Sequence, residues 1–292
     1  KENMSVLGST AILTAVVITE TDLDTIVETV RNGGGVDLSG YRRGGVRRRV
    51  AARMAKMGFD DASTYAEHLR TNASERTGLI DAVAINVSGF FRDSLVYELI
   101  ADRLLPEIVE RKRSTSRELR IWSAGCAAGE EPYTVAILVD LALEQQEGSW
   151  RSYIFATDID GEALAQAHRG EYGRESLSET KLGIVERYFD DRGGRYVLDP
   201  RIRAKVLFSH DDLTHPEISA PVDSVFGDFD LVLCRNVLIY LARGLQEATL
   251  GKLVRSLAPG GYLVLGMAEE LDQGSQSLVT VVDGRARVYQ RR

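Results

Sequence analysis

Apolar and polar positions follow two different rhythms along this chain of 292 residues. In residues 21–86 the apolar positions recur at helical spacing, with polar breaks such as "RNGGG" and "GFDDAS" and no strand-like run. This part is predicted to be an all-α N-terminal domain of roughly four helices. Residues 1–20 are interpreted as an N-terminal tail, because their apolar patch is too short for a membrane helix and lacks the features of a secretory signal.

From Leu119 onward, strand-like and helix-like segments alternate. The strand-like runs are "LRIWSA", "YIFATD", "FDLVLC" and "GYLVLG", and helix-like segments lie near 131–145, 160–168 and 243–257. Such alternation is typical of a mostly parallel sheet with helices on both faces. The sequence therefore predicts a doubly wound, Rossmann-like α/β domain over residues 119–292, joined to the helical domain by a linker and helices at 87–118.

Two segments of this domain depart from the alternation. The stretch "RYVLDPRIRAKVLFSHDDL" predicts a short strand pair with a turn at Asp199-Pro200, as a small β insertion at about 188–210. At the end of the chain, "VTVVDGRARVYQ" places Asp283-Gly284 between two strand-like runs, which predicts a hairpin.

Composition indicates a soluble globular protein. The chain is 44% hydrophobic and 27% charged, and no apolar run reaches the roughly 20 residues of a membrane helix. Two cysteines and four histidines lack metal-ligand spacing and make no disulfide framework, as expected in a reducing compartment. The net charge of −7 argues against general affinity for nucleic acid. We expect a cytoplasmic monomer without direct membrane insertion.

The segment "WSAGCAAGEEPYTVAILV" follows the first strand of the predicted sheet, where doubly wound folds bind their ligands. Gly125 and Gly129 permit a tight turn, and Pro132 suits the first turn of a helix. The loop has neither the GxGxxG pattern nor the lysine of a phosphate-binding loop. Two glutamates here indicate either a cationic ligand or acids favoured by a helix N-terminus.

The second strand ends in "ATDID", which places Asp158 where such folds bind ribose hydroxyls. The later "LAPGGYLVLG" is a pattern common in methyltransferases that use S-adenosylmethionine. Together they favour this cofactor over NAD, and its positively charged groups would give Glu130 a partner.

Four segments resemble the signature segments of the chemotaxis receptor glutamate methyltransferases, the CheR family: "INVSGFFRD" (85–93), "WSAGCAAGEEPYT" (122–134), "ATDID" (156–160) and "FDLVLCRNVLIY" (229–240). The resemblance spans about residues 21–292. It implies transfer of a methyl group from S-adenosylmethionine to glutamate side chains of chemoreceptors, which gives methyl esters and S-adenosylhomocysteine. The alternative is a cofactor-binding sensor or adaptor of the same fold with little turnover.

The resemblance also implies a set of cofactor-binding residues. A linker segment that closes over the cofactor would supply Asn86, Ser88 and Arg92. Glu130 would meet the amino group of the methionine part, Asp158 the ribose, and Ile159 the adenine. The remaining contacts implied by the family are Asp212, Leu213, Arg235 and Asn236.

For catalysis, the resemblance points to Arg92 and Tyr240. A glutamate carboxylate is already ionised at neutral pH, so it needs no general base to attack a methyl group. The site must instead align the reactants and exclude water. Arg92 is predicted to hold the substrate carboxylate, and Tyr240 to shape the gap across which the methyl group passes.

A cationic helix is predicted from the segment Gly40 to Phe59, which has seven basic residues and no acidic one. Its apolar positions Val46, Val50, Met54 and Met57 are predicted to face the core while the cations face outward. The family uses this helix to approach the acidic methylation helices of receptors, and a solvated charged face or nucleic acid are the competing interpretations. The predicted receptor-binding residues are Arg47, Arg49, Arg53 and Lys56.

The cysteines give one further expectation. In the usual strand order of such methyltransferases the first and fourth strands are neighbours. Cys126 and Cys234, close to the ends of those strands, are therefore predicted to flank the cofactor pocket.

Overall fold

The computed structural model describes residues 18–33, 36–83, 88–216, 220–221, 223–224 and 227–292. The chain divides into two compact units. One comprises Lys1–Ser39 and Arg43–Val83, and the other Gly40–Arg42 and Ala84–Arg292. The second unit thus includes a three-residue segment that lies, in the sequence, between two helices of the first.

The first unit is helical. Its first helix begins at Glu20, because Thr19 and Asp22 form a reciprocal capping box. The helix therefore starts at the last residue of the predicted tail, whose residues 1–17 lie outside the described part of the chain. The helices are α1 (Glu20–Asn32), α2 (Arg43–Met57), α3 (Ala62–Thr71) and α4 (Ala73–Val83).

The apolar face of α2 is shorter than the sequence pattern predicts. Val46, Val50 and Met54 are almost fully buried, as expected from their i, i+4, i+8 spacing. The prediction for Met57 is wrong, since this side chain is 42% exposed at the last residue of the helix. By helical angle Met57 lies on the same face as Val46, Val50 and Met54, so its exposure comes from its position at the end of the helix and not from its direction.

The second unit is built on a seven-stranded sheet in the order β6-β2-β1-β7-β8-β10-β9. The five strands from β6 to β8 are parallel, and β10 and β9 add an antiparallel edge. This confirms the predicted α/β class and the terminal hairpin. The strands of the sheet are β1 (Glu118–Ala124), β2 (Arg151–Asp158), β6 (Val206–His210), β7 (Phe229–Cys234), β8 (Leu257–Leu265), β9 (Val279–Asp283) and β10 (Val288–Arg291).

Successive residues of a strand point to opposite faces of the sheet. Both faces of this sheet carry apolar side chains, and helices cover both of them. On β1, Ile121 belongs to one apolar cluster and Trp122 to the other. The first cluster includes Val135 of α7, and the second includes Leu253 of α11. The helices of the unit are α5 (Ser94–Leu99), α6 (Leu105–Arg113), α7 (Glu130–Glu144), α8 (Gly161–Arg169), α9 (Leu182–Tyr188), α10 (Pro200–Arg203), α11 (Arg243–Ser256) and α12 (Gln273–Gln276), with π-helical Ile100–Leu104 between α5 and α6.

The predicted β insertion exists, but its bounds and its turn are wrong. A small antiparallel sheet is formed by β3 (Glu171–Gly173), β5 (Arg195–Leu198) and β4 (Phe189–Asp191). Asp199-Pro200 begins α10 instead of a turn, because the Asp199 side chain accepts the Arg201 N–H and proline suits the first helical turn. Residues 206–210 form β6, which pairs in parallel with β2 as an edge of the main sheet.

No helix of the described residues is long and apolar enough to cross a membrane.

Candidate cofactor and active site

A cavity with an empty volume of about 1110 Å³ opens at the carboxyl ends of the parallel strands of the second unit. The register pairs Ala124 of β1 with Thr157 of β2, so the loops after these strands meet at one edge. The predicted site residues that line it are Ser88, Arg92, Asp158, Ile159, Asp212, Leu213, Arg235, Asn236 and Tyr240. Asn86 lies outside the described residues.

The loop after β1 folds closely around the end of β2. The N–H groups of Gly125 and Cys126 both donate to the carbonyl of Thr157, at 2.8 and 3.0 Å. Gly125 has a φ of 79°, and a Cβ at this position would lie 2.3 Å from a methyl group of Val237. Only glycine therefore fits where this loop passes the loop after β7.

Asp158 holds this loop through its carboxylate. Its Oδ2 accepts the Ala127 N–H at 2.7 Å, and its Oδ1 accepts the Asp160 N–H at 2.9 Å. Burial raises the pKa of Asp158, although the two backbone N–H groups act in the opposite direction. Each carboxylate oxygen can accept a second hydrogen bond, so Asp158 keeps acceptor capacity toward the cavity.

The two adjacent glutamates have different surroundings. Glu131 lines the cavity, and its carboxylate accepts the Ser123 hydroxyl at 2.8 Å and faces the Arg235 guanidinium at 3.6 Å. Burial raises the pKa of Glu131, partly offset by Arg235. Glu130 is also buried, but it is not among the residues that line the cavity. Glu131, for which the sequence predicted no contact of its own, thus reaches the wall of the cavity.

Glu130 nevertheless has one carboxylate oxygen, Oε2, without a hydrogen-bond partner in the described part of the chain. Burial raises the pKa of this group, and a hydrogen bond from Ser88 lowers it. Its predicted contact with the cofactor stays a prediction.

Arg235 connects the end of β7 to the segment before α5. Its guanidinium donates to Asp93 at 2.6 Å, to the Tyr97 hydroxyl at 3.0 Å and to the Arg92 carbonyl at 3.1 Å. The backbone of Asp93 has a φ of 62°, a conformation that needs support from its surroundings. The side chain of Arg235 is only 3% exposed, so its donors mainly serve the protein.

Asn236 and Tyr240 reach the cavity from the same loop. Asn236 has a φ of 60°, and a 3₁₀ turn at Leu238–Tyr240 follows. Another part of the cavity wall is the turn after β6. There the Asp212 carboxylate accepts hydrogen bonds from the N–H of Thr214 at 2.8 Å and from the hydroxyl of Thr214 at 2.6 Å. These bonds fix the turn that presents Leu213 to the cavity.

Tyr41 is a cavity residue that the sequence analysis missed. It belongs to the Gly40–Arg42 segment of the second unit, which forms a β-bridge from Tyr41 to Leu241. The Arg42 N–H donates to the Tyr240 carbonyl at 2.8 Å, and the Ala242 N–H to the Gly40 carbonyl at 2.7 Å. Burial raises the pKa of Tyr41, as do the nearby carboxylates of Asp212 and Asp158. The segment Gly40 to Phe59, which contains Tyr41, was interpreted only as a cationic helix.

The two cysteines differ in position. Cys126 follows β1 and Cys234 is the last residue of β7, and these two strands are paired. Cys126 lines the cavity, whereas Cys234 is buried in the core and is not among the lining residues. The expectation that both flank the pocket is therefore wrong for Cys234.

Most of the predicted receptor-binding residues on α2 are engaged within the helical unit. Arg53 donates to both carboxylate oxygens of buried Glu75, at 2.8 and 2.7 Å. Arg49 donates to the Val83 carbonyl at 2.9 Å, and Arg47 pairs with Glu20. Lys56 is exposed, as predicted. The prediction that these cations all face outward is therefore wrong, most clearly for Arg53, whose side chain is 18% exposed and pairs with Glu75.

The side chains that line the cavity fit S-adenosylmethionine. Glu131, Asp158 and Asp212 supply carboxylates for ribose hydroxyls and for cationic groups, and Ile159, Leu213 and Tyr41 supply an apolar wall. No group of residues with metal-binding potential occurs in the described ranges.

Comparisons with known proteins identify the family of this chain. Residues 86–288 match the family model of the CheR methyltransferase SAM-binding domain, and residues 21–84 match that of the CheR methyltransferase all-alpha domain. The chain is 34% identical over 247 residues to chemotaxis protein methyltransferase 1 of Pseudomonas aeruginosa, covering 82% of this chain and 86% of that protein. It is 31% identical over 246 residues to the chemotaxis protein methyltransferase of Escherichia coli, covering 84% and 82%.

A third relative is longer. An uncharacterised 104.1 kDa protein of Rhodobacter capsulatus is 34% identical over 269 residues, which are 92% of this chain but only 27% of that protein.

Proposed function

The chain belongs to the CheR methyltransferase family, and from this membership we propose that it is a protein-glutamate O-methyltransferase acting on the methylation helices of chemoreceptors. It would transfer the methyl group of S-adenosylmethionine to glutamate side chains and form glutamyl methyl esters. The observation that carries this proposal is the pair Arg92 and Tyr240 in the wall of a cavity otherwise rich in carboxylates.

Carboxylate chemistry fits the lining of this cavity. S-adenosylmethionine supplies a methyl group already activated on a sulfonium. A glutamate carboxylate, with an ordinary pKa near 4.3, is ionised at neutral pH and needs no base. No histidine occurs among the described residues that line the cavity. The chain has to bind the carboxylate, direct it and keep water away.

The two arginines of the cavity receive different roles. The Arg235 guanidinium is buried and donates to Asp93, Tyr97 and the Arg92 carbonyl. We assign the substrate carboxylate to the Arg92 side chain, because it lines the cavity and stands in the "INVSGFFRD" segment that resembles a signature of the family. Tyr240, presented by the loop after β7, would border the reacting groups.

We assign the ammonium group of the cofactor to Glu131 and the ribose to Asp158. Glu131 lines the cavity while Glu130 does not, and Ser123 and Arg235 fix the orientation of its carboxylate. Asp158 is held by two N–H donors and is therefore preorganised to accept hydroxyl groups. Both residues bind the cofactor without taking part in proton transfer.

The experiment that tests this function combines three proteins. Wild type, Arg92→Ala and the control Arg103→Ala, which removes an exposed arginine, are incubated with methyl-labelled S-adenosylmethionine and a chemoreceptor cytoplasmic fragment. Base-labile label on the receptor identifies esters. We expect a loss of about 100-fold in turnover for Arg92→Ala, the scale for a positioned charge-stabilising donor, and none for Arg103→Ala.

Two outcomes would contradict the proposal. Label that resists base would indicate methylation of nitrogen instead of carboxylate. Tight cofactor binding without transfer to any receptor fragment would indicate the sensor or adaptor alternative.

A further inference from the structure

Glu269 is a buried carboxylate that joins two loops of the second unit. It is 3% exposed and lies just beyond the end of β8. Its Oε2 accepts the N–H of Asn236 at 3.0 Å and that of Gly266 at 2.7 Å, while its Oε1 accepts the N–H of Ile239 at 3.3 Å. One side chain thus binds the loop after β8 to the loop after β7.

Backbone dipoles, rather than a cation, surround this charge. The adjacent Glu270 pairs with Arg287 at 2.9 Å, whereas Glu269 has no ion pair in the part of the chain that the structure describes. A buried carboxylate without a counter-ion is costly unless its acceptor positions are filled. Hydrogen bonds to an ionised acceptor are about twice as strong as neutral ones, so these three N–H groups are held firmly.

The loop that Glu269 holds is the one that carries Asn236 and Tyr240. Asn236 has a φ of 60°, in the left-handed region where a non-glycine residue rarely lies without support. Its N–H and that of Ile239 both point to Glu269, so the carboxylate fixes the turn at two positions. Asn236 and Tyr240 then reach the cavity, although Glu269 itself does not line it.

Gly266 shows how closely the two loops approach. A Cβ at this position would lie 2.7 Å from the Asn236 nitrogen and 2.8 Å from Glu269 Oε2. Both distances are well below van der Waals contact, so only glycine lets the end of β8 meet the turn at Asn236. Glu269 and Gly266 therefore constrain the same turn from one side.

We propose that Glu269 is a positioning residue that holds the turn of residues 236–240 in the conformation that presents Asn236 to the cofactor and Tyr240 to the reacting groups. The role of Glu269 toward Tyr240 rests on the proposed methyltransferase function. Its role toward Asn236 concerns cofactor binding alone and can be tested without a receptor.

The test uses Glu269→Gln, with Glu270→Gln as the control of the same chemistry at an adjacent, exposed position. A carboxamide keeps one acceptor oxygen and turns its NH₂ group toward an N–H donor, so at least one of the three hydrogen bonds is lost. We expect the affinity for S-adenosylhomocysteine, measured by calorimetry, to fall at least about tenfold for Glu269→Gln, the scale of a lost hydrogen bond to a charged group. Glu270→Gln should bind as the wild type does.

A double-mutant cycle separates positioning from general stability. If Glu269 acts through the turn, its substitution should have little further effect on affinity once Asn236→Ala is present, and little further effect on turnover once Tyr240→Ala is present. Full additivity in both cycles, or wild-type affinity for Glu269→Gln, would overturn the proposal. The affinity cycle remains decisive if no receptor is methylated, so failure of the proposed function is distinguishable.

Gly266→Ala is the second variant, and it removes no charge. It should displace the Asn236 turn sterically and lower affinity in the same direction, with the same loss of effect in the Asn236→Ala background. If circular dichroism shows that Glu269→Gln does not fold, Gly266→Ala alone tests the proposal. Wild-type affinity for a folded Gly266→Ala protein would then refute the proposed role of the turn.

Discussion

At the scale of single residues, the cavity carries carboxylates whose protonation should control cofactor binding. Burial raises the pKa of both Glu131 and Asp158 above their ordinary values. They therefore take up protons at a higher pH than ordinary carboxyl groups, and each proton removes a negative charge that attracts the cationic cofactor. We predict that the affinity for S-adenosylmethionine falls as the pH is lowered from neutral into the mildly acidic range, as calorimetry in a pH series would measure.

The sign for stability is the opposite of that for binding. A carboxyl group whose pKa is raised by folding favours the folded state most at a pH below its unfolded pKa, and this contribution is lost as the pH rises through the folded pKa. The cofactor-free protein should therefore gain stability from these groups in the same acidic range in which it loses affinity. Glu131→Gln should flatten both profiles, and an affinity that does not vary with pH would show that neither carboxylate faces the cofactor.

Tyr41 gives a second prediction at this scale. Its ring is a partly buried wall of the cavity beside the carboxylates of Asp158 and Asp212. Tyr41→Ala should weaken binding of S-adenosylhomocysteine by about tenfold, because the ligand would lose contact with an aromatic ring, and full burial of a large apolar side chain is worth roughly 1.5–3 kcal/mol. Tyr41→Phe should retain most of the affinity, since the ring supplies the contact; equal affinity of wild type and Tyr41→Ala by calorimetry would remove Tyr41 from the cofactor wall.

A site residue could be predicted from the sequence when its place follows from a single secondary-structure element. Asp158 follows a parallel strand whose end faces the ligand edge in any doubly wound sheet, so its place was predictable. Glu130 and Glu131 could not be separated by sequence, because neighbouring residues in a first helical turn point about 100° apart. The direction of that turn is set by Gly129, whose φ is 90°. Tyr41 reaches the cavity through backbone pairing with residues far along the chain, which has no local signal.

At the scale of elements, α2 combines a structural arginine with exposed cations. Arg53 is 18% exposed and forms two hydrogen bonds to Glu75, which is 3% exposed and also accepts the Tyr65 hydroxyl at 2.7 Å. Arg53→Ala should lower the free energy of unfolding by on the order of 3 kcal/mol, because it leaves a buried carboxylate unpaired. Thermal or denaturant unfolding would measure this, and Arg48→Ala, which removes an exposed arginine of the same helix, should change little.

The ion pair of Arg53 and Glu75 also makes the stability of this element depend on pH. The hydrogen bonds from Arg53 lower the pKa of Glu75, and Tyr65 adds to this effect against the influence of burial. The stability that the pair contributes is therefore complete above the ordinary pKa of a glutamate, and it is lost as the pH falls through the lowered value. Unfolding of Arg53→Ala that matches the wild type at neutral pH would contradict the assignment.

We predict that receptor recognition by α2 depends on its exposed cations. Arg48 and Lys56 are exposed, whereas charge reversal at Arg53 would damage the fold. We predict that Arg48→Glu combined with Lys56→Glu raises the KM for receptor by about tenfold while affinity for S-adenosylhomocysteine is unchanged, and that added salt weakens the wild-type interaction similarly. The control reverses Arg103 and Arg113, which are 51% and 56% exposed. If neither added salt nor the charge reversal on α2 changes the KM for receptor, these cations do not bind the receptor and only face solvent.

The strand of residues 206–210 shows why element type is easier to predict than element partner. Its side chains range from buried Val206 to Leu207, which is 45% exposed, as in any strand at the edge of a sheet. Local pattern cannot tell whether such a strand pairs with its neighbour in sequence or with β2, about fifty residues earlier. The pairing is decided by burial on the main sheet, which only the assembled fold contains.

At the scale of the whole molecule, most of the architecture could be predicted from the alternation of strands and helices in the sequence. Parallel strands buried on both faces leave continuous apolar runs, and these runs marked β1, β2, β7 and β8 correctly. The two apolar clusters on opposite faces of the sheet follow from the same alternation. What the pattern could not predict is that the second unit includes residues 40–42.

That discontinuity has a consequence for recombination between relatives. No single crossover point in the gene separates the two units, because any cut after residue 83 sends Gly40–Arg42 with the helices. A chimera that takes its helices from one parent therefore inherits that parent's residue at position 41 in the other parent's cofactor cavity. Where the two parents differ at this position, exchange of the helical part would therefore also change how tightly S-adenosylmethionine is bound.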